Sequence, residues 1–192
     1  HRVWGGVGDS GALDIGIKDG DPKGVVALFP TFRGQLFVAK QQKLYRVSGY
    51  YPETFSIEKV SDSIGCVGPN AFAAIDQDEV FFVSQKGVHS ISTTAAFGDF
   101  SSNFISKDIQ DVFDSASLSD LEAVQCAYIS EMNSFAMLLS DNVYLYNIPF
   151  KSWYKWTSVV GSDQTSATCT ALTKVADTDK NRLFLGTSYG ML

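Results

Sequence analysis

Apolar and polar positions recur along the chain in a loose unit. "GQLFVAKQQKLYRVS" (34–48), "DEVFFVSQKGVHSIS" (78–92), "NSFAMLLSDNVYLYN" (133–147) and "NRLFLGTSYGML" (181–192) each hold an apolar or aromatic run, a short polar turn and a second apolar stretch. Short runs of this kind on either side of a turn predict β-hairpins. The first runs begin at Leu36, Val80, Phe135 and Leu183, at intervals of 44, 55 and 48 residues. Repeats of roughly 40–50 residues made of short strands are the sequence mark of β-propeller blades.

The other segments can be placed around these hairpins. "VVALFP" (25–30) reads as an inner strand, "FSIEKVS" as an outer one, and "NAFAAI" as the first strand of the next unit. "SKDIQDVFDS" predicts a helix. Ser106 is its expected cap, Asp108 lies in its first turn, and Ile109, Val112 and Phe113 share a face. Ser119 precedes Glu122 by the spacing of a capping box, which predicts a second short helix. An insertion here accounts for the 55-residue interval.

The clearest unit reads as strands at 123–129, 134–139, 142–147 and 153–158. Tyr144 and Tyr146 fall on one face, with Val143 and Leu145 on the other, the pattern of a strand buried on both sides. Trp153 and Trp156 are three apart, so they point to opposite faces unless a bulge intervenes. "SATCTALTKV" opens a last unit.

The expected fold is therefore all-β and β-propeller-like. It has about three and a half blades of short antiparallel strands, with a short helical insertion near 106–125. The approximate units are 25–60, 70–110, 123–158 and 167–192 within one partial domain covering 1–192. The truncated last unit, and an opening at His1 with no Met, read as a piece of a larger propeller. Such a piece exposes long strand edges and is expected to bind another copy or unfold.

The composition is that of a folded chain: 45% apolar and 19% charged in 192 residues. The 14 Phe, 8 Tyr and 3 Trp suit a sheet, and the 16 Gly suit tight turns. The net charge of −6 comes with scattered Lys and Arg and no basic stripe, which argues against sequence-specific nucleic-acid binding. No apolar run is long enough for a membrane helix, and no signal peptide is visible. Cys66, Cys126 and Cys169 are too few and too dispersed for a disulfide framework or a Cys-rich zinc site, and read as buried small hydrophobes.

Several strings resemble chemical motifs but lack the required surroundings. Gly6, Gly8 and Gly11 spell a dinucleotide fingerprint, but "ALDIGIKDGDP" is not the helix such a site needs. Val3–Trp4 and Leu13–Ile17 read as strand pieces in that region. Gly186-Thr187-Ser188-Tyr189-Gly190 spells a nucleophile elbow, yet the sister units put hairpin turns there and both His lie upstream. Asp14, Asp19 and Asp21 fit no complete calcium loop and read as a solvated acidic turn. Asp76, Asp78 and Glu79 read as a hairpin tip. His89 reads as a satisfied strand histidine. Trp153, Tyr154 and Trp156 are a possible partner or glycan contact, to be weighed against simple packing of an outer strand. No catalytic, cofactor-binding or metal-ligating set emerges, and no enzyme activity is expected.

"LFVAKQQKLYRVSG" (36–49), "IGCVGPNAF" (64–72) and "DEVFFVSQKGVHSIS", preceded by "DGDP" (19–22), resemble a pattern in tail proteins of tailed bacteriophages and prophages. These are the β-propeller-containing structural proteins of short-tailed phage nozzles and head–tail connecting parts. The order holds over about residues 1–115, and 120–192 agree through strand periodicity and "SWYKW". The resemblance implies a non-enzymatic virion part, assembled in the bacterial host cytoplasm. It implies assembly with copies of itself and other phage structural proteins as a ring around the DNA exit channel, touching DNA only in passage. The alternatives are a receptor- or glycan-binding propeller module and a glycoside hydrolase or lyase propeller. Fold alone does not choose among them.

Overall fold

The computed structural model describes Ile15 and residues 19–32, 35–51, 54–76, 79–93, 100–156, 169–176, 181–187 and 190–191. Four antiparallel sheets follow one another along the chain. The first contains β1 (Ala27–Phe32), β2 (Gln35–Ala39), β3 (Leu44–Ser48) and β4 (Ser56–Ser61). The second contains β5 (Phe72–Asp76), β6 (Glu79–Ser84), β7 (Gly87–Thr93) and β8 (Phe100–Phe104). The third contains β9 (Gln125–Ile129), β10 (Ser134–Leu139), β11 (Asn142–Asn147) and β12 (Ser152–Trp156). The fourth contains β13 (Cys169–Ala176), β14 (Asn181–Thr187) and β15 (Gly190–Met191).

In each sheet the spatial order of strands is the chain order, so each sheet closes by local hairpins. The first strands of successive sheets are neighbours: β1 lies beside β5, β5 beside β9 and β9 beside β13. The last strands, β4, β8 and β12, are sheet edges.

The two-faced third sheet forms as its sequence predicts. Phe135, Met137, Tyr144 and Tyr146 join the main core, while Ala136, Leu138, Val143 and Leu145 form a separate cluster on the opposite face. Its register runs unbroken from Ser134↔Asn147 to Leu139↔Asn142. Between those strands Ser140 (φ 49) and Asp141 (φ 64) both adopt left-handed backbone. That is the mirror-image two-residue turn whose twist matches the flanking strands.

The main core joins three sheets. Phe29 of the first sheet meets Phe82 of the second at 5.2 Å, Phe37 lies in the same core, and Phe81 of the second meets Phe135 of the third edge-on at 5.4 Å. All five rings are buried. Burying a Phe side chain contributes about 1.5–3 kcal/mol. These aromatic contacts tie the three sheets into one core.

The helical insertion lies between the second and third sheets: a 3-10 turn at Lys107–Ile109, α1 (Gln110–Ser115) and α2 (Leu118–Glu122). Phe113 and Leu121 are buried against the core, with Ile109 and Val112 packed beside them. Both expected caps are corrected. The Ser106 side chain caps nothing; its Oγ accepts from the buried Val88 backbone N–H at 2.9 Å. The capping box is Ser117 with Asp120, two residues before the expected Ser119 and Glu122. The backbone enters α2 at Ser117, which has extended φ and ψ, so only Ser117 can cap its first turn.

One strand expectation shifts, and the others fall largely outside the described residues. The third sheet starts at Gln125 rather than 123, because Ala123 still closes the helix. Its last strand is described to Trp156, and 157–158 lie outside the described residues. Of the strand expected at Leu13–Ile17, only Ile15 is described, and it is not in a strand; Val3–Trp4 are not described.

Candidate functional site

The richest polar geometry lies where the first two sheets meet. The linker from β4 to β5, "IGCVGP", passes under the β2–β3 turn at backbone contact. Cys66 N–H donates to Lys40 O (2.8 Å) and Val67 N–H to Val83 O (3.0 Å). A Cβ on Gly65 would sit 2.2 Å from Lys40 O, and one on Gly68 would sit 2.4 Å from Glu122 O. Only glycine permits such an approach.

Above this seam opens a cleft of about 250 Å³. It is walled by Gln41 and Gln42 of one hairpin turn, Gln85 and Lys86 of the next, and Asp62 and Ser63 between them. Asp62 accepts from Lys43 (2.8 Å) and Lys59 (2.7 Å), which hold its carboxyl below the usual range. Gln41 Nε2 donates to Glu122 of α2 (2.8 Å), and Glu122 also pairs with Lys23. The cleft therefore offers amides, hydroxyls and a compensated carboxylate to a polar group. Nothing in the spacing of the sequence marked it, because its residues come from three separate turns. A signal was available in the matching place of "KQQK" and "SQKG" in successive units.

In the acidic loop before β1, Gly20 and residues 22–24 are exposed as expected of a solvated turn, but Asp19 is tied into the fold. The Asp19 carboxylate accepts from Lys40 Nζ (2.9 Å), from Tyr45 Oη and from the Asp21 N–H (3.0 Å). The Tyr45 and Lys40 bonds hold its pKa far below the carboxylate range, and burial beside Asp19 pushes the Tyr45 phenol up to about 12. Asp21 accepts from the Gln42 N–H (2.7 Å). These oxygens are spent on the protein's own donors, which argues against a calcium loop. Asp14 lies outside the described residues, and among the described residues no group of three or more His, Cys, Asp or Glu is placed to hold a metal.

His89 is buried. Its Nε2 faces Ser84 Oγ at 3.0 Å, and its imidazole stacks on Phe82 and leans on Phe104. Burial, with some repulsion from Lys86, pushes its pKa down to about 4, so it is neutral at pH 7. Cys66 is buried and its Sγ–H donates to Gly68 O (3.3 Å), while burial raises its pKa to about 12. Cys126 is half-buried, and burial also raises its thiol pKa. Both act as small hydrophobes, as expected; the Cys169 side chain lies outside the described residues.

The three aromatic residues of β12 do not form one patch. Val143↔Trp156 and Tyr146↔Trp153 pair across the sheet without a bulge, so the tryptophans point to opposite faces. Trp153 packs against Tyr146 (5.0 Å) and donates from Nε1 to Ile105 O (2.8 Å). Tyr154 and Trp156 share the other face and are 55% and 37% exposed. Asp76 pairs through its backbone with Glu79 at the end of the β5–β6 hairpin, and Asp78 is not described. Thr187 pairs with Gly190, so the nucleophile-elbow string spans a β-hairpin. Gly6, Gly8 and Gly11 lie outside the described residues.

The chain matches no protein-family model and no curated protein sequence. Among solved structures it is similar to a 2S albumin seed protein from Dolichos, with 11% identity and a TM-score of 0.39, over 84% of this chain and 82% of that one. It is also similar to a hemopexin-fold protein, CP4, from cow pea, with 10% identity and a TM-score of 0.39, over 84% of this chain and 81% of that one. Similarities at this level have no bearing on this chain's fold or function.

Proposed function

We propose that the chain is a propeller-type structural module of a tail or head–tail connecting assembly of short-tailed bacteriophages or prophages, contributing to a wall around the DNA exit channel. The observation that carries this reading is the serial contact of first strands, β1 to β5 to β9 to β13, with each sheet running outward to an edge strand. That is how blades stand around a common axis. The sequence resemblance supplies the setting. The net charge of −6 suits a wall that lets DNA slide without gripping it.

The test is the mass in solution by light scattering, with negative-stain images of the same peak. Closed assemblies of more than two copies around an opening that admits duplex DNA, with no retardation of DNA at low salt, are the expected result. A chain that stays monomeric or dimeric at every concentration overturns the wall reading. A second reading, glycan binding, has one observation in its favour: Tyr154 and Trp156 lie side by side on an exposed face, where aromatic rings can stack on sugars. Retention on a glycan array that is lost in Tyr154→Ala would favour it.

A further inference from the structure

The edge strands of the first and third sheets differ in how they meet solvent. β4 carries the exposed Glu58 and Lys59, and its pairing with β3 slips between Leu44 and Tyr45. Charge and a bulge are the usual devices that stop an edge from pairing with another chain. β12 has neither device in the same measure. Its pairing with β11 is unbroken from Asn147↔Ser152 to Val143↔Trp156, it has no proline, and its one charge is Lys155. Its exposed side chains include Tyr154 and Trp156, and exposed Phe150 precedes it.

We infer that β12 is a docking edge for β12 of a second copy, antiparallel and centred on Tyr154. The choice of occupant follows from the strand's self-complementarity. Centred on Tyr154, Ser152 faces the partner's Trp156, Trp153 faces the partner's Lys155, and Tyr154 faces the partner's Tyr154. Aromatic and cation–aromatic cross-strand pairs are favourable, and no like charges meet. Moving the centre to Lys155 sets the two Lys155 side chains opposite each other. Moving it to Trp153 sets Lys155 against the partner's Lys151. Like charges directly opposite are destabilising, so one register is selected. A five-residue strand gives a small interface, so the dimer is concentration-dependent. This pairing does not depend on the wall reading.

Light scattering across a concentration series is the first measurement. The expected result is a mass that rises to that of a dimer, or a ring built from such dimers. The double variant Tyr154→Lys/Trp156→Lys, both exposed positions, is expected to abolish this rise, while Tyr50→Lys on the exposed β3–β4 turn leaves it unchanged. As a register test independent of that variant's folding, Tyr154→Cys is expected to give a covalent dimer on mild oxidation. Directly opposed residues bring their Cβ atoms to about 4.5–5.5 Å, within small adjustment of disulfide distance. The parent chain and Tyr50→Cys, oxidised alike, are expected to stay uncrosslinked. A parent that is monomeric up to about 1 mM overturns the inference. So does an assembly indifferent to the lysine pair, or crosslinking that favours Lys155→Cys over Tyr154→Cys. A larger ring that survives with β12 blocked overturns this inference and leaves the wall reading intact.

Discussion

His89 makes the protein's stability depend on pH in a way that one substitution can isolate. The folded imidazole takes a proton only near pH 4, because burial between Phe82 and Phe104 disfavours the cation and Lys86 repels it. In the unfolded chain it titrates near its ordinary 6.5. Between those values the unfolded state binds more protons, so this site's stabilisation is full at neutral pH, falls as pH drops through 6.5 and levels off below 4. The loss relative to pH 7 is about 2 kcal/mol at pH 5 and about 3 kcal/mol at pH 4. The perturbation is His89→Phe, which keeps an aromatic between the two phenylalanines and removes the proton site. Urea unfolding of both proteins at pH 7 and pH 5 is the assay. Carboxylates elsewhere affect both proteins alike and cancel in the difference. The parent is expected to lose about 2 kcal/mol relative to the variant over that interval. A difference that stays constant with pH refutes the burial argument, whatever its absolute size.

Three further outcomes follow from local geometry. Gly68→Ala is expected to cost about 2 kcal/mol or more in denaturant unfolding, because its Cβ would press on the Glu122 carbonyl. Ser106→Ala is expected to cost about 1–3 kcal/mol, since it strips the buried Val88 N–H of its acceptor; a cost of a few tenths would mean that N–H does not depend on the hydroxyl. Replacing Ser140-Asp141 with Asn-Gly is expected to raise stability by about 0.5–1 kcal/mol, because both positions already require left-handed backbone; a lowered melting temperature would contradict the turn assignment.

Local pattern made the third sheet the most legible part of the sequence. In 134–147 both faces are apolar and a short turn separates two even strands, so alternation alone puts Tyr144 and Tyr146 on one face and Val143 and Leu145 on the other, while only the fold makes the tyrosine face the main core. The same counting puts Trp153 and Trp156 on opposite faces unless a bulge intervenes, and the unbroken register supplies the missing condition. The caps misled because a serine near a helix start satisfies the same spacing rule whether it caps or turns inward. Ser106 turns inward because a buried N–H from another strand needs it. Asp19 misled because its partners, Lys40 and Tyr45, lie more than twenty residues away and only the fold brings them together. The cleft between the hairpin turns escaped for the same reason, since only the fold brings its three turns together, although the matching place of the turns in successive units hinted at it.

The linker that slips beneath the β2–β3 turn also has a mechanical meaning. Its backbone bonds, Cys66 to Lys40 and Val67 to Val83, together with Cys126 to Asn70 farther on, act as stitches from one sheet to the next. The seams thus combine a few backbone stitches with the shared aromatic core, whereas each sheet carries its own continuous ladder of hairpin bonds.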